Sequence, residues 1–350
     1  MVRRVAFAFP GNLETPTGGY AYDRRIIAEL QGAGWQVDLV PLGEGFPQPS
    51  AEQKGFAQAQ LAAVEQGIPI VVDGLAFGVL PEAAGTLQQS HQLIALVHHP
   101  LAFETGLSEQ EARALRASER SALAATRGVI VTSPPTARLL VADYGVPAGR
   151  ITVALPGTDR GDPAPGSSDG TVRLVSVGTI VKRKGFDVLI AALGRVQDLP
   201  WNLTIAGDRG RELDAVTRLD ADIARHGLGN RVELLGAITP ERVAELYRRS
   251  DVFVLASRFE GYGMAYAEAI AHGLPVIGTT GGAIPETVPS AAGLLVPPGD
   301  VAALALALRR VIEDTGLRRQ FAAGAREAAA RLPSWTGSAR LFASAIEAVA

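Results

Sequence analysis

The sequence predicts an α/β protein of two doubly wound, Rossmann-like parallel-sheet domains, and three observations lead there. A chain of 350 residues exceeds what one core usually organises, which favours two domains of roughly 150 residues each. Short apolar runs alternate with longer helical segments, the pattern of parallel strands joined by crossover helices. One stretch, Asp159–Gly170, crowds proline, glycine, serine and aspartate without a single large apolar residue, as interdomain linkers do. The expected boundaries are 1–158 for the first domain, 159–170 for the linker, 171–333 for the second domain and 334–350 for a terminal helix.

In the first domain the expected strands are Val5–Phe9, Trp35–Val40, Ile68–Val72, Leu93–His98, Val129–Thr132 and Ile151–Ala154. Between them lie helix signals such as Tyr20–Leu30, closed by Gly32 and Gly34, and Ala51–Gln66, closed by Gly67; glycine just past a helix relieves its carboxyl end. Beyond the linker the alternation restarts with Val172–Val177, Trp201–Ala206, Val232–Leu235, Val252–Leu255 and Val276–Gly278. Three helical stretches follow, around Val301–Thr315, Leu317–Arg331 and Ser334–Val349, with Pro333 breaking the run before the last. Open α/β sheets bind ligands beyond the carboxyl ends of their strands. The two sheets are therefore expected to face each other across a cleft, with the chemistry on loops that follow strands.

Composition narrows the class. With 47% hydrophobic and 20% charged residues and a formal net charge of -3, the chain reads as an ordinary globular protein with no call for nucleic acid as a partner. It contains no cysteine, which removes disulfides and thiolate metal sites and is compatible with a reducing cytoplasm. The apolar run Val5–Phe9 is too short for a signal-peptide core, and no stretch approaches the roughly 18 apolar residues of a membrane span. The expected location is cytoplasmic, with any membrane contact peripheral, at the inner face.

Four loops carry candidate chemistry. The first ends at Gly18-Gly19, where a helix begins; glycines allow close approach to the backbone and a helix N-terminus favours an anion. A tight strand-to-helix turn accounts for the same residues. The fourth strand ends in Val97-His98-His99-Pro100, two imidazoles able to donate or carry charge near neutral pH, or simply structural histidines. The second domain opens with Val177-Gly178-Thr179 and then Lys182-Arg183-Lys184-Gly185, cations suited to phosphate or to a solvated turn. The richest loop runs from Ser257 to Ile277, where Gly261 and Gly263 precede a helix expected from near Met264 to His272. Glu260 falls before that helix and Glu268 in its second turn, and a carboxylate can hold a pair of vicinal hydroxyls.

These residues resemble retaining glycosyltransferase family four, whose hallmark is Glu, seven residues, then Glu, here Glu260 and Glu268. Val177-Gly178 with Lys184-Gly185, Gly18-Gly19, His98, Pro156-Gly157-Thr158-Asp159 and Gly281 to Glu286 are similar to further family motifs, in order along nearly the whole chain. The resemblance implies the GT-B fold, with the last helix returning to the first domain. It implies that Lys184 binds the donor diphosphate, that Gly18, Gly19, Gly178 and Thr179 lie along it, and that Glu268 accepts from the ribose hydroxyls. Glu260 holds hydroxyls of the transferred sugar, the amides of Gly261, Tyr262, Gly263 and Met264 meet sugar and phosphate, and His98 lies near the reacting carbon. His98, Lys184 and Glu260 are the implied catalytic residues. Two departures stand out: the family commonly has arginine where Thr179 stands, which leaves Lys184, helped by Lys182 or Arg183, to stabilise the leaving group, and it often has proline where Ala265 stands, a harmless change because alanine starts helices acceptably.

The expected activity is transfer of a sugar, of hexosyl type, from a nucleotide diphosphate sugar to a glycan, lipid-linked or small-molecule hydroxyl, with retention. No cofactor and no metal are expected, because no DxD or ligand cluster follows a strand. A non-hydrolysing nucleotide-sugar epimerase and a non-catalytic nucleotide-sugar-binding protein remain as alternatives, while a nicotinamide dehydrogenase is disfavoured because no GxGxxG follows the first strand of either half.

Overall fold

The computed structural model describes residues 3–104, 106–167 and 169–350. By internal contacts the chain divides into two units, Met1–Gly157 with Pro333–Ala350, and Thr158–Leu332.

Unit 1 runs β1 (Arg4–Phe9), α1 (Gly18–Gly32), β2 (Gln36–Pro41), α2 (Ala51–Ala62), β3 (Ile70–Asp73), α3 (Gly74–Phe77), α4 (Pro81–Leu87), β4 (Leu93–Val97), α5 (Glu109–Ala124), β5 (Gly128–Val131), α6 (Pro134–Tyr144) and β6 (Ile151–Val153). Its sheet has the order β2-β1-β3-β4-β5-β6, every pair parallel. Strand residues alternate between faces. Ala6 and Ala8 of β1 therefore join a core with Phe77, Leu123 and Leu140, while Phe7 points to the other face.

Unit 2 runs β7 (Val172–Val177), α7 (Phe186–Leu193), β8 (Trp201–Ala206), α8 (Leu213–Arg225), β9 (Val232–Gly236), α9 (Pro240–Arg248), β10 (Val252–Val254), α10 (Met264–Ala271), β11 (Val276–Thr279), α11 (Ile284–Thr287), β12 (Gly293–Val296), α12 (Val301–Glu313) and α13 (Thr315–Ala329). The sheet order is β12-β11-β10-β7-β8-β9, again wholly parallel. Its core gathers Trp201, Tyr247, Phe253, Tyr266, Leu304 and Phe321. Parallel strands buried on both faces read as continuous apolar runs, which is why the buried β10, Val252-Phe253-Val254, stands out in the sequence.

The last helix, α14 (Trp335–Glu347), packs against α1, β5 and β6 of unit 1. Phe342 stacks on Phe7 at 6.4 Å between ring centroids, and the Ser338 hydroxyl donates to Leu155 O. The sequence expectation of a C-terminal helix returning to the first domain is met.

Some boundaries move. Asp159–Gly170 has no helix or strand among its described residues and clusters with unit 2. Helix α1 begins two residues before the expected Tyr20, because the Thr17 side chain accepts from Tyr20 N and caps it there. Gly18-Gly19 is thus the helix's first turn rather than the loop before it. Strand β12 went unread, being four residues long, half-buried and bounded by turn residues.

Candidate functional site

Each unit carries one cluster of the residues singled out above. In unit 2 it is built by the turn after β7 and the loops after β10 and β11. Lys182–Lys184 form a single 3-10 turn closed by Gly185 in the left-handed conformation. A Cβ at Gly185 would lie 2.0 Å from Ala256 O, so only glycine lets the basic turn sit against the end of β10. The Lys184 chain then runs beside Gly178, and its Nζ reaches Glu260 Oε1 at 2.7 Å.

Glu260 is held from four directions. Its Oε1 also accepts from the Ser257 hydroxyl at 2.6 Å, and its Oε2 pairs with Arg183 at 3.2 Å. Ala283 N donates to its carbonyl. Gly282 makes that last contact possible, with φ of 63° and a Cβ position 2.2 Å from Glu260 O. The side chain is only 7% exposed. Burial would raise its carboxyl, yet the charge of Lys184, followed by that of Arg183, pulls it down to about 2. Arg183 also donates to Phe259 O at 2.8 Å, which braces the loop that carries the glutamate. Arg258 ties the same two loops together through a two-pronged pair with Asp187, at 2.9 and 2.8 Å.

Helix α10 begins at Met264 as expected, with Gly263 as its left-handed cap residue. Glu268 in its second turn accepts at Oε2 from the Tyr247 hydroxyl at 3.0 Å. Burial raises the Glu268 carboxyl to about 7, against the lowering effects of the Tyr247 hydrogen bond and the Lys184 charge. Tyr247 was not among the residues read from sequence. Its signal is weak, an aromatic near the end of α9 that looks like any core residue.

In unit 1, Gly19 and His98 come together, with a Cβ at Gly19 falling 3.4 Å from His98 Cδ2. His98 follows β4, and its carbonyl accepts from the Thr132 hydroxyl. Two carboxylates missed by sequence reasoning flank the imidazole. Nε2 stands 3.1 Å from Asp23 Oδ1 and 3.6 Å from Asp73 Oδ2, and Tyr22 meets the ring edge-on at 5.3 Å. Burial would lower the imidazole, but Asp23 and then Asp73 hold it well above its ordinary value. Nε2, Asp23 Oδ1 and Asp73 Oδ2 lie within 4.8 Å of one another; the separation to Asp23 is that of a hydrogen bond, and the longer one to Asp73 is that of an ion pair. His99 pairs instead with Glu104, at 2.6 Å.

Comparison with known proteins supplies the fold's name. A sucrose-phosphate synthase from Thermosynechococcus elongatus superposes with a TM-score of 0.79 at 24% identity, covering 97% of this chain and 98% of that one. The Anabaena protein Alr3699/HepE, solved in complex with UDP and glucose, gives 0.74 at 19% identity over 97% and 99%. The fold is GT-B. Within this GT-B chain, residues 160–328 match the family model of glycosyl transferases group 1, which spans the whole unit 2 cluster. A D-inositol 3-phosphate glycosyltransferase of Xylanimonas cellulosilytica is 31% identical over 230 residues, 61% of this chain and 55% of that protein. A mannosylfructose-phosphate synthase of Agrobacterium fabrum is 26% identical over 63% and 52%. The chain spans about half the length of the curated relatives it matches first. Among the described residues no helix is long and apolar enough to cross a membrane.

Proposed function

We propose that this chain is a glycosyltransferase of hexosyl type that moves a sugar from a nucleoside diphosphate donor to a hydroxyl acceptor, with retention and without a divalent ion. The observation that carries the reading is the Glu260, Lys184, Arg183 and Ser257 cluster beside the start of α10, inside the segment that matches group 1 glycosyl transferases.

In this reading Lys184 and the amides of Gly261 to Met264 face the diphosphate. They stabilise the charge that grows as the bond from the sugar's anomeric carbon to phosphate oxygen breaks and its electron pair passes to phosphate. The acceptor hydroxyl attacks on the face the diphosphate leaves and its proton goes to a phosphate oxygen, so no protein base is required. Glu268, with Oε2 fixed by Tyr247, accepts from the ribose hydroxyls, and Glu260 from hydroxyls of the sugar. Taken by itself, unit 1 offers the Gly19 backbone to a phosphate and the His98 ring to a sugar oxygen. Lys184 pairs with Glu260 in the free protein, so donor phosphate competes for a cation that is already engaged, and Thr179 supplies no second one.

The test is a thermal-shift screen with UDP, GDP and ADP and their sugars, with and without EDTA, followed by product analysis. UDP heads the donor panel because a structural neighbour holds it. The relatives' names include inositol 3-phosphate and mannosylfructose-phosphate, so phosphorylated polyols and sugars head the acceptor panel, with glycan and lipid-linked acceptors after them. Binding of one base, unaffected by EDTA and lost in Glu268→Gln, supports the reading, as does an axial-to-axial product. An inverted anomer overturns retention. An epimer formed without acceptor favours the epimerase, and donor binding with no bond cleavage favours a binding protein.

A further inference from the structure

The unit 1 cluster has a composition that the transfer chemistry above does not use. Strand order places β1, β3 and β4 side by side, so the elements that follow them converge: α1 brings Asp23, the end of β3 brings Asp73 and the loop after β4 brings His98. The side chains of Asp23 and Asp73 are 0% and 3% exposed, that of His98 19%. Asp73 Oδ1 already caps α3, accepting from Leu75 N at 2.7 Å, which leaves Oδ2 to face the imidazole. Asp23 Oδ2 has no hydrogen-bond partner among the described residues. Buried carboxylates need a cationic or donating partner. Here two of them turn to one imidazole nitrogen.

Among the described residues, His98 is the cation paired with Asp23 and Asp73. Tyr22 of α1 spends its hydroxyl on Ala154 O, Thr132 beyond β5 donates to the His98 carbonyl, and His99 on the same loop is paired with Glu104. We propose that Asp23 and Asp73 are positioning residues that keep His98 an imidazolium, with Nε2–H turned to the carboxylates and Nδ1–H as its remaining donor. His98 then offers a ligand a charged hydrogen-bond donor and cannot act as a base. The ligand atom it fits is an electron-rich oxygen, a sugar hydroxyl or a carboxylate. That this oxygen belongs to the transferred sugar rests on the proposed function; the charge state does not.

The protein contains five histidines, so the full chain labelled with 15N-histidine gives a tractable long-range proton–nitrogen spectrum, in which His98 is assigned by its loss in His98→Gln. At pH 7.5 the wild-type His98 ring is expected to show both nitrogens protonated, and Asp23→Asn combined with Asp73→Asn to return it to a neutral tautomer. A neutral His98 in the wild-type protein overturns the proposal without either aspartate variant having to fold. So does a His98 signal that moves on adding zinc and returns with EDTA, since that would make the cluster a cation site with a deprotonated Nε2. In transfer assays Asp73→Asn is expected to lower kcat about 10-fold or more, with the dissociation constant for the free nucleoside diphosphate unchanged. Loss of nucleotide binding in that variant, with its unfolding transition intact, would count against a role confined to His98. If no transfer is found at all, the spectrum still decides the charge state.

Discussion

Lys184, Glu260 and Glu268 differ in what their removal should cost. A charged hydrogen bond is worth about 1.5 to 3 kcal/mol, or roughly 10-fold to 150-fold. Lys184→Ala is expected to lower kcat/KM by that factor, and more of it should fall on kcat, because the leaving group's charge is largest in the transition state. It also strips Glu260 of its nearest cation, so the acid side of the activity profile should move upward. With the cluster intact that carboxyl, held near 2, stays ionised down to low pH. Glu268→Gln should act mainly on donor affinity. Burial pushes its carboxyl up to about 7, and ionised oxygens accept hydroxyls best, so affinity for the nucleotide sugar, whose diphosphate does not titrate there, should rise with pH between about 6 and 8 in the wild type and rise less in Glu268→Gln; calorimetry at several pH values reads this. The glutamates and Lys184 were legible because glycines and short spacing mark them. Asp23 and Asp73 were not, since nothing local joins residues so far apart. A trace existed all the same: Asp23 interrupts the buried stripe of Ile26, Ile27 and Leu30 on α1, where an unpaired carboxylate has no business.

Elements position these side chains through glycine and through buried caps. Gly282→Ala puts a Cβ against Glu260 O in a left-handed backbone, at a conformational cost of about 1–2 kcal/mol before the clash is counted. Activity should fall further than thermal stability, because what shifts is the loop beneath Glu260. Glu119 on α5 plays a comparable part in unit 1, accepting from Leu101 N just beyond the histidine loop. Burial, only partly opposed by that hydrogen bond, raises its carboxyl to about 8 from an ordinary 4.5. The folded chain therefore binds more protons than the unfolded one between those values, and stability falls as pH rises through the window. Melting temperatures taken from pH 5.5 to 8.5 should decline for the wild type and decline less for Glu119→Gln. Strands were readable as continuous apolar runs, whereas β12 was not: its first residue is a glycine whose Cβ would sit 1.9 Å from Val276 O, and a run that opens with no side chain hides in the turn before it.

At the scale of the molecule the division into two units was foreshadowed by the change of composition at Asp159–Gly170, yet only contacts assign that stretch to unit 2. Separate cores predict separable damage. Phe342→Ala removes a fully buried ring from α14, a loss of about 3–5 kcal/mol, and hydrogen exchange should show its effect in β1, β5 and α1 while β7, β8 and β10 keep their protection. Because α14 completes unit 1, the order in which the chain is synthesised differs from the order in which its halves can close. Unit 2 has everything it needs once Leu332 has left the ribosome. Unit 1, whose sheet is made before unit 2, must wait with a sheet face uncovered for α14, which is made after unit 2.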